Sequence, residues 1–300
     1  MKGYKAFKKG LICDPTGKNP FQYKENTVFE TDTAELCKSG FHFCKNPLDV
    51  FNYYSLIDNN GNVTEFAEVE ALDDVKTNNI KYCTKKLKIG KKISFSELVQ
   101  AGINFKIENK LTEDVKIRTE NKDRINISNN NNSAIINSSG NSVKINSNGK
   151  DVIISSSGDS VKINSSGDKG KIDNGGNWTK INSNGQIAQI SNSGNYIRIN
   201  SSGDCTKISS SGDYTKICSS GNFARIASNG KDSIICCIGH NSIARGKIGN
   251  WIVLTEWAYD KEKEASFPVC VKTEFVDGEK IKEDTFYKLE NGKFVEINNK

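Results

Sequence analysis

The stretch Ser-Ser-Gly-Asp-Ser-Val-Lys-Ile-Asn at residues 156–164 recurs with small changes every nine residues. Other clear copies are SSGNSVKIN at 138–146, SSGDCTKIS at 201–209 and SSGDYTKIC at 210–218. Self-similarity at a short fixed period is typical of solenoids, in which each unit buries its apolar face only by stacking on the next unit. The repeat therefore predicts a solenoid over residues 120–255.

The pattern inside the nonapeptide predicts the type of solenoid. We number its positions 1 to 9 from the first Ser. Position 8 is always Ile from Ile136 to Ile235, and position 6 is small or β-branched. Both alternate with polar positions, so a short strand would point them inward. Position 3 is Gly from Gly140 to Gly239, and we expect it to supply a positive φ in a Ser-Ser-Gly-Asp/Asn turn. These features predict a parallel β-solenoid.

Position 5 indicates how many units form one turn. It is aromatic at Trp178, Tyr196 and Tyr214, which are eighteen residues apart. Two units per turn would stack the three rings in one column at roughly the 4.8 Å spacing of strands. We therefore favour a two-sided coil of seven or eight turns, with a three-sided coil as the alternative. Phe223 falls on the other face and weakens the pattern.

The segment before the repeats, residues 1–119, predicts a small α+β domain. Lys2–Phe7 and Glu65–Leu72 have the composition of strands. Asn46 and Pro47 would begin a helix that runs to about Tyr54. A second, short helix would begin at a capping box, Ser94-Phe95-Ser96-Glu97, and end at Gly102.

The segment after the repeats, residues 256–300, predicts a small β-rich module. Asp277-Gly278 and Asn291-Gly292 are hairpin turn signals between runs of Val, Ile, Phe and Tyr. Both flanking segments would cap the ends of the solenoid, which otherwise expose strand edges.

The positive charge of the chain lies on the repeats. The formal net charge is +6; residues 120–255 carry 15 Lys and Arg against 9 Asp and Glu, and the remainder carries 27 of each. The N-terminal segment MKGYKAFKKG has no apolar stretch, so we expect no signal peptide. No stretch of the sequence approaches 18 apolar residues, so we expect no membrane span and no membrane partner. Nine Cys without a framework spacing are expected to be reduced thiols of a cytoplasmic protein.

Position 7 supplies the main candidate for binding. In a two-sided coil it places five cations in one column beside the aromatic residues. Cations about 5 Å apart repel one another, so an anionic partner would stabilise them. A nucleic-acid strand, an anionic nucleotide or a host protein would suit this face. The alternative is a solvated strand face that prevents lateral aggregation. The predicted binding residues are Lys144, Lys162, Lys180, Arg198, Lys216, Trp178, Tyr196 and Tyr214.

The repeats offer little for a metal or cofactor, and we expect neither. Asp directly after Gly resembles the turns of calcium-binding β-rolls, but many units carry Asn, Lys or Gln there. Cys218 and Cys236 would lie on adjacent turns within disulfide range. Cys237 and His240 lie close by in the sequence, although small residues packed in a turn explain them as well.

One segment of the chain resembles an uncharacterised domain family of phage and prophage proteins. It is Cys37-Lys38-Ser39-Gly40-Phe41-His42-Phe43-Cys44-Lys45-Asn46-Pro47-Leu48-Asp49-Val50-Phe51-Asn52-Tyr53-Tyr54. Phe21-Gln22-Tyr23, Phe66–Glu70 and the tail Val276–Lys282 fit the same family. The resemblance covers roughly residues 1–110 and 265–297. It implies the context of a phage accessory gene and no particular activity.

A second resemblance concerns ADP-ribosyltransferases. Gly40-Phe41-His42-Phe43 followed by Tyr53-Tyr54 is similar to their strand–helix segment beside the nicotinamide pocket. The resemblance implies that His42 and Tyr54 are pocket residues. The first strand, Tyr4–Phe7, lacks the usual His-Gly or Arg, and only Glu68 and Glu70 are candidates for the catalytic carboxylate.

Three functions remain open at the level of sequence. The favoured one is a non-enzymatic phage or prophage accessory protein that binds a host macromolecule or nucleotide through the basic face of the solenoid, with counter-defence as one purpose. The second is an ADP-ribosyltransferase-like enzyme with the solenoid as a targeting arm. The third is a structural spacer or virion-associated protein.

Overall fold

The structure is a computed structural model that describes residues 1–14, 20–109, 111 and 116–297. The chain folds into two compact units, residues 1–114 and residues 115–300. Each unit encloses its own apolar cluster. The two units are therefore described one at a time.

The first unit is a small α+β domain, as predicted. Its elements are β1 (Lys2–Phe7), β2 (Ile12–Cys13), β3 (Phe21–Gln22), β4 (Val28–Glu30), β5 (Phe41–Phe43), a 3₁₀ helix (Pro47–Asn52), β6 (Glu65–Ala71), β7 (Val75–Thr77), β8 (Tyr82–Thr84), β9 (Lys86–Ile93) and α1 (Phe95–Glu108). Four strands form an antiparallel sheet in the order β1-β6-β9-β4. Two smaller sheets have the orders β2-β3 and β5-β8-β7.

Both predicted helix starts are confirmed, but one predicted helix end is wrong. The Asn46 side chain accepts a hydrogen bond from the Leu48 N–H at 3.3 Å and caps the 3₁₀ helix. The Ser94–Glu97 capping box closes with bonds of 2.7 and 3.2 Å. Gly102 does not end α1, which continues to Glu108. Glycine stands there because a Cβ would lie 2.5 Å from Leu48 Cγ.

The second unit is a parallel β-solenoid of about 8 turns. Its strands all span four residues except the last, which spans three. They are β10 (Ile117–Glu120), β11 (Asn126–Asn129), β12 (Ile135–Ser138), β13 (Lys144–Ser147), β14 (Ile153–Ser156), β15 (Lys162–Ser165), β16 (Lys171–Asn174), β17 (Lys180–Ser183), β18 (Gln189–Asn192), β19 (Arg198–Ser201), β20 (Lys207–Ser210), β21 (Lys216–Ser219), β22 (Arg225–Ser228), β23 (Ile234–Cys237) and β24 (Ile243–Arg245).

The prediction of two units per turn is confirmed. Even-numbered strands from β10 to β24 form one parallel sheet, and odd-numbered strands from β11 to β23 form the other. Each residue pairs with the residue eighteen positions later, as Ile163 does with Ile181. The Ile column of position 8 is fully buried between the two sheets, together with Val143, Val152 and Val161 of position 6. We call the sheet of odd-numbered strands the odd sheet.

The strands of the solenoid are shifted along the repeat from their predicted place. Each four-residue strand spans positions 7, 8, 9 and the following position 1, as in Lys162–Ser165. Position 5 lies in the turn, and all fourteen residues there from Arg124 to Asn241 have φ between 52° and 59°. The left-handed residue of each turn is therefore position 5, including the β-branched Ile187.

The predicted role of the position 3 glycines is wrong. None of the twelve has a positive φ. Gly158 shows the reason for the residue, because a Cβ there would lie 1.9 Å from the carbonyl oxygen of Gly140 in the preceding coil. Successive coils approach so closely at this corner that only glycine fits.

Side chains at position 4 hold the coils together. The Asp159 N–H donates to Asn141 Oδ1 at 2.9 Å, and the Asn177 N–H donates to Asp159 Oδ1 at 2.7 Å. The same contact recurs at Asn195 and Asp213. Asp and Asn stand at position 4 because both carry an oxygen that accepts the backbone donor of the next coil.

Antiparallel strands end the solenoid at its C-terminal side, as predicted, but Asp277-Gly278 is not a hairpin turn, because the strands on either side of it lie in different sheets. The strand β25 (Trp251–Asp260) pairs in parallel with β23 and then antiparallel with β26 (Ala265–Phe275). The hairpin of β27 (Phe286–Glu290) and β28 (Lys293–Ile297) continues the other sheet beyond β24. This module adds Val276, Ile281, Tyr287 and Leu289 to the core of the solenoid.

Candidate functional site

The outer face of the odd sheet carries four parallel columns of side chains. Position 5 lies in the turn that enters each strand, positions 7 and 9 point outward from the strand, and position 2 lies in the turn that follows. Alternate residues on one strand stand about 6.6–6.8 Å apart. The columns from one edge to the other are thus aromatic, basic, Asn and Asn/Ser.

The basic column is formed as predicted. We call Lys144, Lys162, Lys180, Arg198 and Lys216 the basic face; each is in register with the next on adjacent strands. All five are exposed, and among the described residues none lies within 4.0 Å of a carboxylate oxygen. Strand spacing separates their Cα atoms by about 4.8 Å, so the cations repel one another in the protein alone.

The aromatic stack, Trp178, Tyr196 and Tyr214, also lies together as predicted. The ring centroids of Trp178 and Tyr196 are 4.1 Å apart with planes 3° apart. Those of Tyr196 and Tyr214 are 4.9 Å apart with planes 8° apart. Tyr196 therefore has both faces covered, and a base cannot stack on it. Only the outer faces of Trp178 and Tyr214 and the ring edges are open to a ligand.

The three rings of the aromatic stack lie beside Lys180, Arg198 and Lys216 in one shallow depression of about 230 Å³. Trp178, Tyr196 and Tyr214 are exposed by 60%, 44% and 48%. Such exposure is high for large aromatic side chains. The stack and the basic face thus form one continuous surface.

A polar groove that the sequence analysis missed runs along the other side of the basic face. Its wall is an asparagine ladder, Asn146, Asn164, Asn182 and Asn200, in which each amide nitrogen donates to the preceding amide oxygen at 2.8–3.0 Å. The groove encloses about 520 Å³ and is completed by position 2 side chains such as Asn148 and Asn184. The recurrence of Asn at position 9 of every second unit was the signal for it.

Two thiols continue the asparagine ladder. Cys218 and Cys236 are in register on adjacent strands, and both are free. Burial and the neighbouring Cys218 thiol raise the pKa of Cys236 to about 11. The Cys236 thiol therefore stays protonated at neutral pH. Within the described part of the chain, no three His, Cys, Asp or Glu side chains are grouped as a metal site.

In the first unit, the structure brings His42 and Tyr54 to one cavity of about 120 Å³. His42 Nε2 accepts a hydrogen bond from the Cys37 N–H at 3.0 Å. Burial, with the nearby Lys81 and Lys5 cations, lowers the pKa of His42 to about 4, so its imidazole is neutral at neutral pH. The Tyr54 hydroxyl donates to Cys13 Sγ at 3.4 Å.

The two candidate carboxylates lie elsewhere. Glu68 and Glu70 line a different depression together with Lys2, Tyr4 and Lys88. No Asp or Glu is among the described residues that line the cavity of His42 and Tyr54. The arrangement places a neutral imidazole and a phenol together but no carboxylate with them.

Sequence reasoning also missed Lys5, which lines the same cavity and is only 6% exposed. Its ammonium donates to the His42 carbonyl oxygen at 2.7 Å. The signal was its register, because Lys5 shares one side of β1 with the buried Phe7.

Fold and sites together define a β-solenoid protein that carries a separate α+β N-terminal domain. Residues 1–101 match the model of a family described as a domain of unknown function, DUF7666. No curated protein and no solved structure matches the chain. No described helix has the length and apolar composition needed to cross a membrane.

Proposed function

We propose that this protein is a non-enzymatic binding protein whose solenoid holds a single-stranded nucleic acid along the basic face. The observation that carries the proposal is the column of five in-register cations without carboxylate partners among the described residues. Repulsion along such a column costs free energy in the protein alone, and a linear polyanion removes that cost. Phosphates along one strand supply the matching row of negative charges.

The surfaces beside the basic face support a nucleic acid over a merely acidic protein. The open face of Trp178 at one end of the aromatic stack offers a platform for a terminal or bulged base. The groove beside the asparagine ladder offers amide groups that can hydrogen-bond sugars and base edges. An acidic protein surface would need only the cations, whereas a nucleic acid has bases and sugars that match both of these features.

The biological setting is part of the same proposal. The resemblance of Gly40–Tyr54 to phage and prophage proteins supports an accessory protein that acts on a host nucleic acid in the host cytoplasm, with counter-defence as its purpose. The ADP-ribosyltransferase-like alternative has less support, because no described Glu reaches the cavity of His42 and Tyr54.

Salt dependence of oligonucleotide binding tests the proposal. Fluorescence anisotropy of labelled oligo-dT and oligo-U would be measured between about 50 and 200 mM salt. For single strands each neutralised phosphate contributes about −0.7 to the slope of log K against log salt, so five contacts give about −3.5. The double variant Lys180→Glu with Arg198→Glu should abolish binding.

The matched control makes the same change in net charge at two lysines in the turns that follow the odd-numbered strands. Lys150 and Lys169 are exposed there, and Lys150→Glu with Lys169→Glu should leave most of the affinity intact. Equal loss in both double variants would mean that net charge alone attracts the oligonucleotide. Absence of binding to the wild-type protein at low salt would refute the nucleic-acid proposal, and tighter binding of polyglutamate would favour an acidic protein partner.

A further inference from the structure

The described residues that line the cavity of the first unit include basic side chains and no acidic ones. Its thirteen described lining residues include two Lys, one His and four Tyr, and no Asp or Glu. A pocket lined in this way offers hydrogen-bond donors and positive charge, and the Asp14 and Asp49 carboxylates that act on Tyr54 and Cys44 lie outside its lining. Its electrostatic character therefore suits a negatively charged group.

Lys5 is the centre of this positive charge. Its ammonium lies 5.3 Å from the Tyr23 ring centroid and 5.7 Å from the Phe7 ring centroid, at the edge of the apolar cluster. The His42 carbonyl oxygen accepts from one of its three donors at 2.7 Å, and the Cys13 thiol takes a further hydrogen bond. No described carboxylate oxygen lies within 4.0 Å of the Lys5 ammonium, and the Asp14 carboxylate pairs with Lys8 at 3.0 Å.

Such a lysine costs stability. A buried charge without a counter-ion is expensive, and an apolar side chain of similar size at such a position is often neutral or stabilising. Burial accordingly lowers the pKa of Lys5. A cation that persists at a structural cost while it lines a cavity is characteristic of a functional site.

We infer that this cavity binds the anionic group of a small ligand, a carboxylate or a phosphate, against the Lys5 ammonium. The volume of about 120 Å³ is enough for a phosphate-sized group, since a water molecule takes about 30 Å³ of liquid volume. The rest of the ligand extends toward Tyr53, which lines the cavity and is 42% exposed.

Neighbouring side chains complete the recognition of an anion. The Tyr54 hydroxyl donates to Cys13 Sγ, a weak acceptor, so it can turn to a ligand oxygen. Burial raises the pKa of Tyr54 and of Tyr23, which keeps both phenols protonated and able to donate. Lys81 Nζ lies 4.4 Å above the Tyr53 ring and adds a second positive charge beside the cavity.

The test uses the full chain and four probes: inorganic phosphate, phenyl phosphate, benzoate and the uncharged benzyl alcohol. Binding is measured by calorimetry and by the ¹⁵N chemical shift of the Lys5 ammonium. We expect phosphate or carboxylate probes to bind and to shift that resonance, and benzyl alcohol to bind at least about tenfold more weakly. A preference for phenyl phosphate or for benzoate identifies the anionic group.

Two variants make the test decisive. Lys5→Met should lose at least about tenfold in affinity while its melting temperature stays equal or rises. Lys2→Met changes an exposed lysine of the same strand and should leave binding unchanged. Failure of every anion to bind the wild type, equal binding by Lys5→Met, or equal binding of benzyl alcohol would each overturn the inference.

Discussion

Glycine is required at position 3 because successive coils approach each other closely there. The adjacent residues Gly175 and Gly176 allow this explanation to be tested. A Cβ on Gly176 would lie 1.9 Å from the Gly158 carbonyl oxygen, whereas a Cβ on Gly175 would meet nothing closer than 3.9 Å. We expect Gly176→Ala to destabilise the solenoid by about 3 kcal/mol, because two coils must separate. Urea denaturation followed by circular dichroism measures the loss.

Gly175→Ala is the control for that change. Gly175 does not have a left-handed φ, so alanine fits its backbone. We expect a change within about 0.5 kcal/mol, or a small gain from the stiffer unfolded chain. Equal destabilisation by both substitutions would contradict the steric argument and would indicate that backbone freedom is what the turn requires.

The hydrogen bonds made by position 4 explain why the turns differ from those of calcium-binding β-rolls. The carboxylate of Asp159 accepts the Asn177 N–H at 2.7 Å, and Asn141 plays the same role for Asp159. Asp and Asn are therefore equivalent at position 4, because only the Oδ1 acceptor matters. The mixture of the two residue types, which is unfavourable for calcium, follows directly from this ladder.

At the scale of the element, the thin core makes each inward Ile critical. Ile181 is fully buried between the two sheets, while the adjacent Lys180 of the same strand points outward. We expect Ile181→Asp to destabilise the solenoid by at least about 4 kcal/mol, since it removes core packing and buries a charge without a partner. Lys180→Asp should leave the melting temperature nearly unchanged. A soluble Ile181→Asp protein with the wild-type melting temperature would contradict this assignment of the core.

Asp173, in β16 of the sheet of even-numbered strands, should make the stability of the solenoid depend on pH. Burial raises the pKa of Asp173 in β16 to about 6, and a hydrogen bond from Ser191 opposes this rise. Between the ordinary pKa of Asp and about 6, the native state keeps a proton that the unfolded chain releases, so stability falls as pH rises through this window. Asp173→Asn removes the effect.

The pH prediction is checked by urea midpoints near pH 5 and near pH 7.5. We expect the gain of Asp173→Asn over the wild type to grow by about 1 kcal/mol between these values, at 1.36 kcal/mol per pKa unit, because the Asp carboxylate of the unfolded chain is already ionised at pH 5. The control is Asp159→Asn. Asp159 is exposed, and an Asn in its place keeps the Oδ1 atom that accepts the Asn177 N–H. A gain that does not change with pH would show that the Asp173 carboxylate is not desolvated in the native state.

What could be predicted from the sequence depends on the range of the interaction. The Ile column, the eighteen-residue register and the aromatic stack follow from a strict period, because each coil packs only on its neighbours. The glycine role was mistaken because the close approach that fixes Gly158 comes from Gly140 one coil away, and turn propensity does not report it. The helix end at Gly102 was mistaken for the same reason, since Leu48 demands the small residue.

The first unit illustrates the opposite case at the scale of the molecule. Its strands at Lys2–Phe7 and Glu65–Ala71 follow from composition, but its cavity joins β1, β5 and the segment around Tyr54. No period links these positions, so Lys5 could be suspected only from its place in an otherwise buried strand. The sequence motif around His42 and Tyr54 located part of the cavity wall without its charge.

The last prediction concerns the whole molecule and separates its two candidate anion sites. They are built on different units and share no residue. We expect Lys180→Glu with Arg198→Glu to abolish oligonucleotide binding and to leave the binding of phenyl phosphate or benzoate to the cavity unchanged. Lys5→Met should do the reverse. Anisotropy and calorimetry on the same preparations measure both activities. Loss of both activities in either variant would mean that one site serves both ligands, and loss of neither would show that the anions bind to surfaces other than these two.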